Sequence, residues 1–425
     1  MGLKRSLGTG AAVFMGLGSI IGTGIFVSIG IAAGVAGYWV IPAIVIATFA
    51  ATFNGLNSAQ LAASHPVSGG TYAYGYRYLN PVMGFTAGWM FLVAKSASAA
   101  TAALGFSGYF FYITGIGNGW MVTGGALLIV FLMGILVSGG ITRSDRTNKI
   151  IVSITLLALG SFILAGLIFG QESINPISAA LYESDQKGNW SLMMHAAALM
   201  FVAFTGYGRI ATLGEEVREP RKTIPAAIIT TLVFTMLLYV LTAWAALNLT
   251  GPDTLAESTD AIAAPLLAAA SMLNFPHVSY IISVGALTAM LGVLLNLLLG
   301  ISRVVLAMAR ENDLPGGLSE INEKNASPAK AVYFTMGIIL ILVASGNVYL
   351  TWSFSAFTVL VYYSITNLSA LFLPDEDRLY PKIIAILGLA LCLTLAFWVD
   401  FYIVFAGLGL IGAGLIWFYL RKRNG

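Results

Sequence analysis

Apolar runs long enough to cross a bilayer recur about twelve times along this 425-residue chain, and nothing else in the sequence restricts its fold as strongly. The runs fall at 9–33, 39–62, 82–113, 119–139, 148–170, 191–214, 224–249, 278–309, 329–346, 350–373, 381–397 and 400–420. An α-helix rises about 1.5 Å per residue, so roughly 20 residues cover a hydrocarbon core about 30 Å thick. Backbone facing lipid must satisfy its own hydrogen bonds, which leaves helices or closed barrels. These runs are too long and too continuous for barrel strands, whose apolar residues alternate. A chain that is 58% hydrophobic and 9% charged also lacks the polar surface of a soluble domain, where about 25% of residues are charged. The fold class is therefore an all-α membrane protein of about 12 transmembrane helices. Short loops leave one transmembrane domain over 1–420, with 421–425 as a short cytoplasmic tail.

Charge orients the spans. Of the 21 Lys and Arg residues, Lys95, Arg209 and Arg303 lie inside spans. If the N-terminus is cytoplasmic, Lys187 alone falls in an outer loop. Every other basic residue, including Lys4, Arg5, Arg77, Arg143, Arg218, Arg310, Lys324, Arg378 and Arg421, falls on the inner side. Glu172, Glu183, Asp185, Asp253, Glu257, Asp260 and Asp400 fall in outer loops. This is the positive-inside pattern, and one span more or fewer in mid-chain would scramble it. Both termini are expected in the cytoplasm, with the chain in the plasma membrane and its first span an uncleaved helix. The outer segment 250–277 holds an apolar stretch, Ala261 to Leu273, too short to span and expected as a helix over the outer face. Gly214 to Pro220 reads as a charged cytoplasmic turn, with Pro220 and Pro225 at the stop and restart of helices.

Two spans carry glycine at mid-depth. The first reads GSIIGTGIF at 18–26 and the sixth reads FVAFTGYG at 201–208. Glycine weakens a helix by about 1 kcal/mol against alanine. A helix broken there frees amides on one side and carbonyls on the other, and freed groups at membrane depth are tolerated where they line a cavity or meet a ligand. Amides at a half-helix N-terminus attract a carboxylate, while carbonyls accept an ammonium. Such a pair suits a zwitterion such as an amino acid. The plain alternative is helix packing through small residues, as at Gly18 and Gly22. Each break opens a set of five spans, and an odd number inverts the second set. The first repeat would cover 9–170 and the second 191–373.

Other functions find little support. A net charge of +3 resides in juxtamembrane loops, and no basic run with interleaved aromatics points to nucleic acid. His65, His195 and His277 lie far apart, and the one cysteine, Cys392, sits in an apolar span, so no metal site or cofactor is expected. No positioned acid–base set for catalysis is visible, so no catalytic residue is expected and the chain does not read as an enzyme. Polar stripes or a filter loop that would mark a channel are also not seen.

Four segments carry a family resemblance: GSIIGTGIF at 18–26, PVSGGTYAYGYRYLNPVMGFTAGW at 66–89, FVAFTGYGRIATLGEEVREPRKTIPAAI at 201–228 and GISRVVLAMARENDLP at 300–315. On these the chain resembles the amino acid–polyamine–organocation superfamily of transporters. The resemblance implies a five-plus-five inverted repeat with broken helices 1 and 6, two additional helices at 381–420, and alternating access around a mid-membrane site. By motif position, Gly22, Thr23 and Gly24 would receive the substrate carboxylate on the amides of Thr23 and Gly24 and the Thr23 hydroxyl. The carbonyls of Ile20, Val202 and Thr205 would receive the ammonium, beside Gly206 and Tyr207. Val202 replaces the large aromatic gate common in the family. Gly208 stands where members that handle cations often have an acid. The resemblance thus implies a secondary amino acid transporter, symporter or exchanger, of neutral or acidic rather than cationic cargo. Another amine or organic anion carried on the same fold, a channel and a transporter-like sensor are the alternatives. The partners implied are the amino acid, a coupling ion and the lipid bilayer. The oligomeric state is left open.

Charges inside spans are functional hypotheses by default. All 18 acidic residues fall in loops or at span edges. Lys95 sits roughly 20 Å into the third span, too deep to snorkel easily. It faces the pathway, where it would pair with an anionic side chain, or it is buried deprotonated, or it is held structurally by carbonyls. Arg209 and Arg303 read as snorkelling toward the cytoplasm, with Arg209 alternatively lining an inner vestibule. Some family members place a lysine in the fifth span where others bind sodium, and Thr155 occupies that position here. A proton or sodium is the coupling ion to consider. For sodium, Thr155 and Ser283 would join the carbonyls of Gly18 and Ile21, although a threonine bonded back to its own helix is the plainer reading.

Overall fold

The computed structural model describes residues 8–65, 69–115, 118–140, 145–169, 190–211, 217–273, 275–322 and 327–424. Lys4, Arg5, Arg143, Glu172, Glu183, Asp185, Lys187, Lys324 and the stretch from Gly214 to Glu216 lie outside these residues. The first span is three helices, α1 (Thr9–Ile20), α2 (Thr23–Phe26) and α3 (Ser28–Ala36). Then follow α4 (Val40–Ser64), the short α5 (Thr71–Tyr78), α6 (Pro81–Thr114), α7 (Gly119–Ser138) and α8 (Asp145–Phe169). The sixth span is α9 (Trp190–Phe204), a tight turn over Thr205–Tyr207, and α10 (Gly208–Ala211). The remainder is α11 (Pro220–Ile262), α12 (Pro265–Ser271), α13 (Pro276–Arg310), α14 (Ala329–Val343), α15 (Val348–Leu371), α16 (Lys382–Phe397) and α17 (Phe401–Asn424). Nine helical segments among the described residues are long and apolar enough to cross a membrane, and Thr9–Ile20, Ala329–Val343 and Lys382–Phe397 are shorter apolar ones. The protein is all-α, with no sheet among the described residues.

Local chemistry sets the ends of the long helices. Asn80, Asn118 and Asn347 each turn a side-chain oxygen to the amide three residues on, at 2.9, 3.0 and 2.8 Å, and so cap α6, α7 and α15. Pro81 and Pro220 take first-turn positions, where a missing amide costs nothing. Pro225 does not restart a helix as expected; it lies inside α11, a turn and a half from its start. The outer apolar stretch also differs from expectation. α11 bends at Gly251, whose φ of 76° favours glycine, and runs on to Ile262. The stretch is then broken at Ala263 (φ 55°), and Pro265 opens the separate α12. Hydrophobicity alone could not show that break. Arg421 to Arg423 form the last turn of α17, where cations complement the helix dipole.

Burial separates the centre from the lipid face. In α6 89% of the most apolar window is buried, against 22% in the last helix, so α6 is central and α17 peripheral. α6 carries Ala94, Ala97, Ala99, Ala100, Ala102 and Ala103, all fully buried, and packs against α13 and α15. Small side chains let helices approach closely where no water drives association. Leu128, Phe131 and Ile135 of α7, Leu157 and Leu164 of α8, and Ile341 of α14 are exposed, as lipid-facing residues should be.

Candidate functional site

The break in the first span falls at Ile21 and Gly22. Ile21 leaves the helix in an extended conformation (φ −77°, ψ 107°). The Gly22 carbonyl accepts the amides of Ile25 and Phe26 at 3.0 and 3.1 Å. The amides of Thr23 and Gly24 precede that pairing and open α2. Thr23 Oγ1 is buried and has no hydrogen-bond partner among the described residues. Gly22 itself lies behind the wall: a Cβ there would collide with Val293. A Cβ on Gly24 would come within 2.7 Å of Ala203 Cβ and 2.8 Å of the Tyr239 hydroxyl.

The break in the sixth span sits against the first. A Cβ on Gly206 would run into the Ser19 carbonyl. The Tyr239 hydroxyl of α11 is shared between Ile20 O at 3.1 Å and Ala203 O at 3.3 Å, tying the two breaks together. Thr205 Oγ1 donates to Val202 O at 2.7 Å and accepts from Lys95 Nζ at 2.8 Å. Tyr363 of α15 donates to Thr205 O at 3.3 Å. Tyr207 is fully buried and packs on Tyr363, ring centroids 5.6 Å apart, outside the wall that faces the cavity.

These groups enclose a cavity of about 490 Å³, within the usual range for small-ligand sites. Ile20, Thr23, Gly24, Lys95, Val202, Thr205 and Gly206 all face it. Lys95 therefore lines the cavity and is 9% exposed. Arg209 and Arg303 are both exposed, and both line the cavity nearer the end of the helices that bears Arg77, Arg218 and Arg310. At the opposite end the cavity is shut. Trp352 Nε1 donates to Leu199 O at 2.9 Å, Tyr109 donates to Phe26 O at 2.8 Å, and Phe26 and Phe201 are fully buried. Beyond them α11 and α12 cover α3 and α6, so close that a Cβ on Gly108 would enter the Ile262 carbonyl.

The residues expected to couple an ion lie elsewhere. Gly18, Ile21, Thr155 and Ser283 do not line the cavity. Thr155 and Ser283 donate back to their own helices, to Ile151 O at 2.8 Å and Ser279 O at 2.7 Å. Their helices, α8 and α13, touch at Gly285, where an added Cβ would lie 3.8 Å from Thr155 Cα. Gly18 makes room for Asn148 of α8, whose Nδ2 donates to Phe14 O at 3.0 Å. The sequence did not single out Tyr239, Ser98, Asn296, Trp352 or the Tyr362–Tyr363 pair, all at the breaks or on the cavity wall. Polar-tipped aromatics in mid-span were the available signal.

The chain matches the amino acid permease family model over residues 11–422. It is 37% identical to an uncharacterized transporter of Mycobacterium tuberculosis, over 99% of this chain and 92% of the relative. It is 31% identical to a branched-chain amino acid permease of Bacillus subtilis, over 80% of this chain and 74% of the relative. A methylthioribose transporter of the same organism is 29% identical, over 79% and 74%. With its family model spanning nearly every helix, the chain belongs to the amino acid permeases of the amino acid–polyamine–organocation superfamily.

Proposed function

We propose that the protein is a secondary transporter that moves amino acids, neutral or acidic rather than cationic, across the plasma membrane by alternating access. The observation that carries this reading is the buried, unpartnered Thr23 hydroxyl beside the leading amides of α2, in one cavity with the carbonyl-bearing break of the sixth span. A carboxylate there would accept the amides of Thr23 and Gly24 and the Thr23 hydroxyl. An ammonium would meet the carbonyls of Ile20, Val202 and Thr205. Each of these already takes one hydroxyl, from Tyr239, Thr205 and Tyr363, and a carbonyl has a second lone pair to offer. Gly208 and the other described cavity residues bring no carboxylate for a cationic side chain. A relative named as a branched-chain amino acid permease agrees with neutral cargo.

The coupling would be symport or exchange. A sodium ion would draw on the Thr155 and Ser283 oxygens with the carbonyls of Gly18 and Ile21; a proton would need none of them. Purified protein in liposomes, screened for uptake of each amino acid under separate sodium and pH gradients, tests both statements. Stimulation by the sodium gradient that vanishes in Thr155→Val supports the sodium set. Failure of folded protein to take up or exchange any amino acid would overturn the reading.

A further inference from the structure

We propose that Lys95 makes an acidic amino acid the favoured cargo, by pairing its ammonium with the carboxylate of the substrate side chain. The inference rests on the amino-acid reading above and narrows it. Lys95 lies near the middle of the 34-residue α6, the most buried of the long helices. It is 9% exposed, and its exposed part faces the cavity. Its Nζ has three hydrogens to donate. Thr205 Oγ1 takes one, at 2.8 Å, and no acid or further acceptor is found for Nζ among the described residues. A buried ammonium without an anionic partner is costly, and a cation at mid-membrane is tolerated where it meets a pathway or a counter-charge. As a mere tether from α6 to the break, a neutral amide or hydroxyl would serve at lower cost. The missing counter-charge is what an anionic side chain would bring.

The wall around Lys95 fits that role. One turn along α6, Ser98 shares a 2.7 Å hydrogen bond with Ser355 of α15, and Ser98 also faces the cavity. Tyr362 of α15, whose oxygen accepts the Thr71 amide at 3.4 Å, adds a phenol group to the wall. This wall belongs to α6 and α15, whereas the Thr23 and Gly24 amides belong to α2. The main-chain carboxylate is therefore met from α2 and a second carboxylate from α6 and α15. A substrate with a cationic side chain would meet Lys95 as a like charge.

The test compares isosteric cargo in proteoliposomes. Counterflow of labelled L-glutamate and L-aspartate is measured against L-glutamine and L-asparagine, with L-leucine as apolar reference. Wild type should carry the acids at least tenfold more efficiently than their amides. Lys95→Met should abolish that preference, lowering carriage of the acids far more than that of the amides and leucine, and Lys95→Arg should keep it. If Lys95→Met does not fold, ligand-induced thermal shifts of wild type decide: glutamate should stabilise it more than glutamine does. Carriage of neutral amino acids with rejection of the acids overturns this inference and leaves the amino-acid reading intact. An acid preference that survives in Lys95→Met also overturns it. Folded wild type that carries no amino acid of any kind overturns both.

Discussion

Tyr72 of α5 donates its hydroxyl to Asp313 Oδ2 at 2.8 Å, although 241 residues separate them in sequence. Tyr76, one turn on, donates to the same oxygen at 2.7 Å. The Asp313 carbonyl accepts Trp417 Nε1 of α17 at 2.9 Å. Asp313 thus joins α5, the end of α13 and α17 beside the cavity, which Thr71 and Tyr74 of α5 help to line. A hydrogen bond to a charged group contributes about 1.5–3 kcal/mol. Tyr72→Phe and Tyr76→Phe should each lower stability within that range in detergent unfolding. The double variant should lose more than the sum, because it strands a buried carboxylate with no side-chain donor. Strict additivity would mean the two hydroxyls do not serve one acceptor in solution.

The same residue gives a pH dependence. Burial raises the Asp313 carboxyl above its ordinary 3.8, while the hydrogen bonds from Tyr76 and Tyr72 and the nearby Lys422 pull the other way without cancelling it. An acid that holds its proton more tightly when folded contributes stability that is full below its unfolded pKa. That contribution is lost as pH rises through the folded value. Wild type should therefore lose stability relative to Asp313→Asn as pH climbs from about 4 through the raised value. Melting temperatures of both proteins along a pH series check the sign. A difference that runs the other way would mean the tyrosines and Lys422 outweigh burial.

Thr23→Val separates binding from packing. The two side chains have nearly the same shape, and the Thr23 hydroxyl has no partner among the described residues. An unsatisfied buried polar group costs about 1–3 kcal/mol, so its removal should leave the protein as stable or more so. If that hydroxyl waits for the substrate carboxylate, transport affinity should fall about tenfold for one lost hydrogen bond to a charged group. Thermal melts and the substrate concentration at half-maximal uptake give the two readings. Unchanged affinity in a stable Thr23→Val protein would remove Thr23 from the site.

What was legible in the sequence and what was not divide along physical lines. Helix count and approximate ends follow from the hydrocarbon thickness and from capping residues such as Asn80 and Asn347. The breaks follow from glycine, and Lys95 stood out because a deep charge is rare. Which face of a helix meets lipid is harder to read, since both faces are apolar: Leu157 and Leu159 of α8 look alike in sequence, yet one is exposed and the other buried. For that reason the Tyr239 bridge, the Trp352–Leu199 closure and the place of Arg303 on the cavity wall were not apparent. The break at Ala263 had a signal in Pro265, two residues on, which the apolar character of the run masked.

Gly206→Ala should abolish uptake at normal expression levels. A Cβ at that position enters the Ser19 carbonyl, which is backbone and cannot swing away, so the two breaks would be forced apart. Gly300 is the control. It also lines the cavity, but a Cβ there meets nothing within 4 Å. Gly300→Ala should keep transport within about twofold of wild type, as expected of a surface change worth under about 0.5 kcal/mol. Equal loss in both variants would show that cavity glycines are needed for motion rather than for the contact at Ser19.

The closed end and the open end make a prediction about sidedness. Cys392 is fully buried, so a membrane-impermeant maleimide should leave wild type unlabelled. Gly300 lies toward the end of α13 that bears Arg310, and the positive-inside rule places that end in the cytoplasm. Leu199 lies under the Trp352 hydrogen bond at the shut end and is fully buried. Gly300→Cys should therefore be labelled in inside-out vesicles and protected in right-side-out ones. Leu199→Cys should resist labelling from either side at rest. If the protein works by alternating access as proposed, turnover separates α9 from α15, and Leu199→Cys should become reactive from the outside only when substrate and any required ion are present. Labelling of Gly300→Cys from the outside would reverse the orientation. Leu199→Cys that stays inert during measured transport would mean the outer path opens elsewhere than between Leu199 and Trp352.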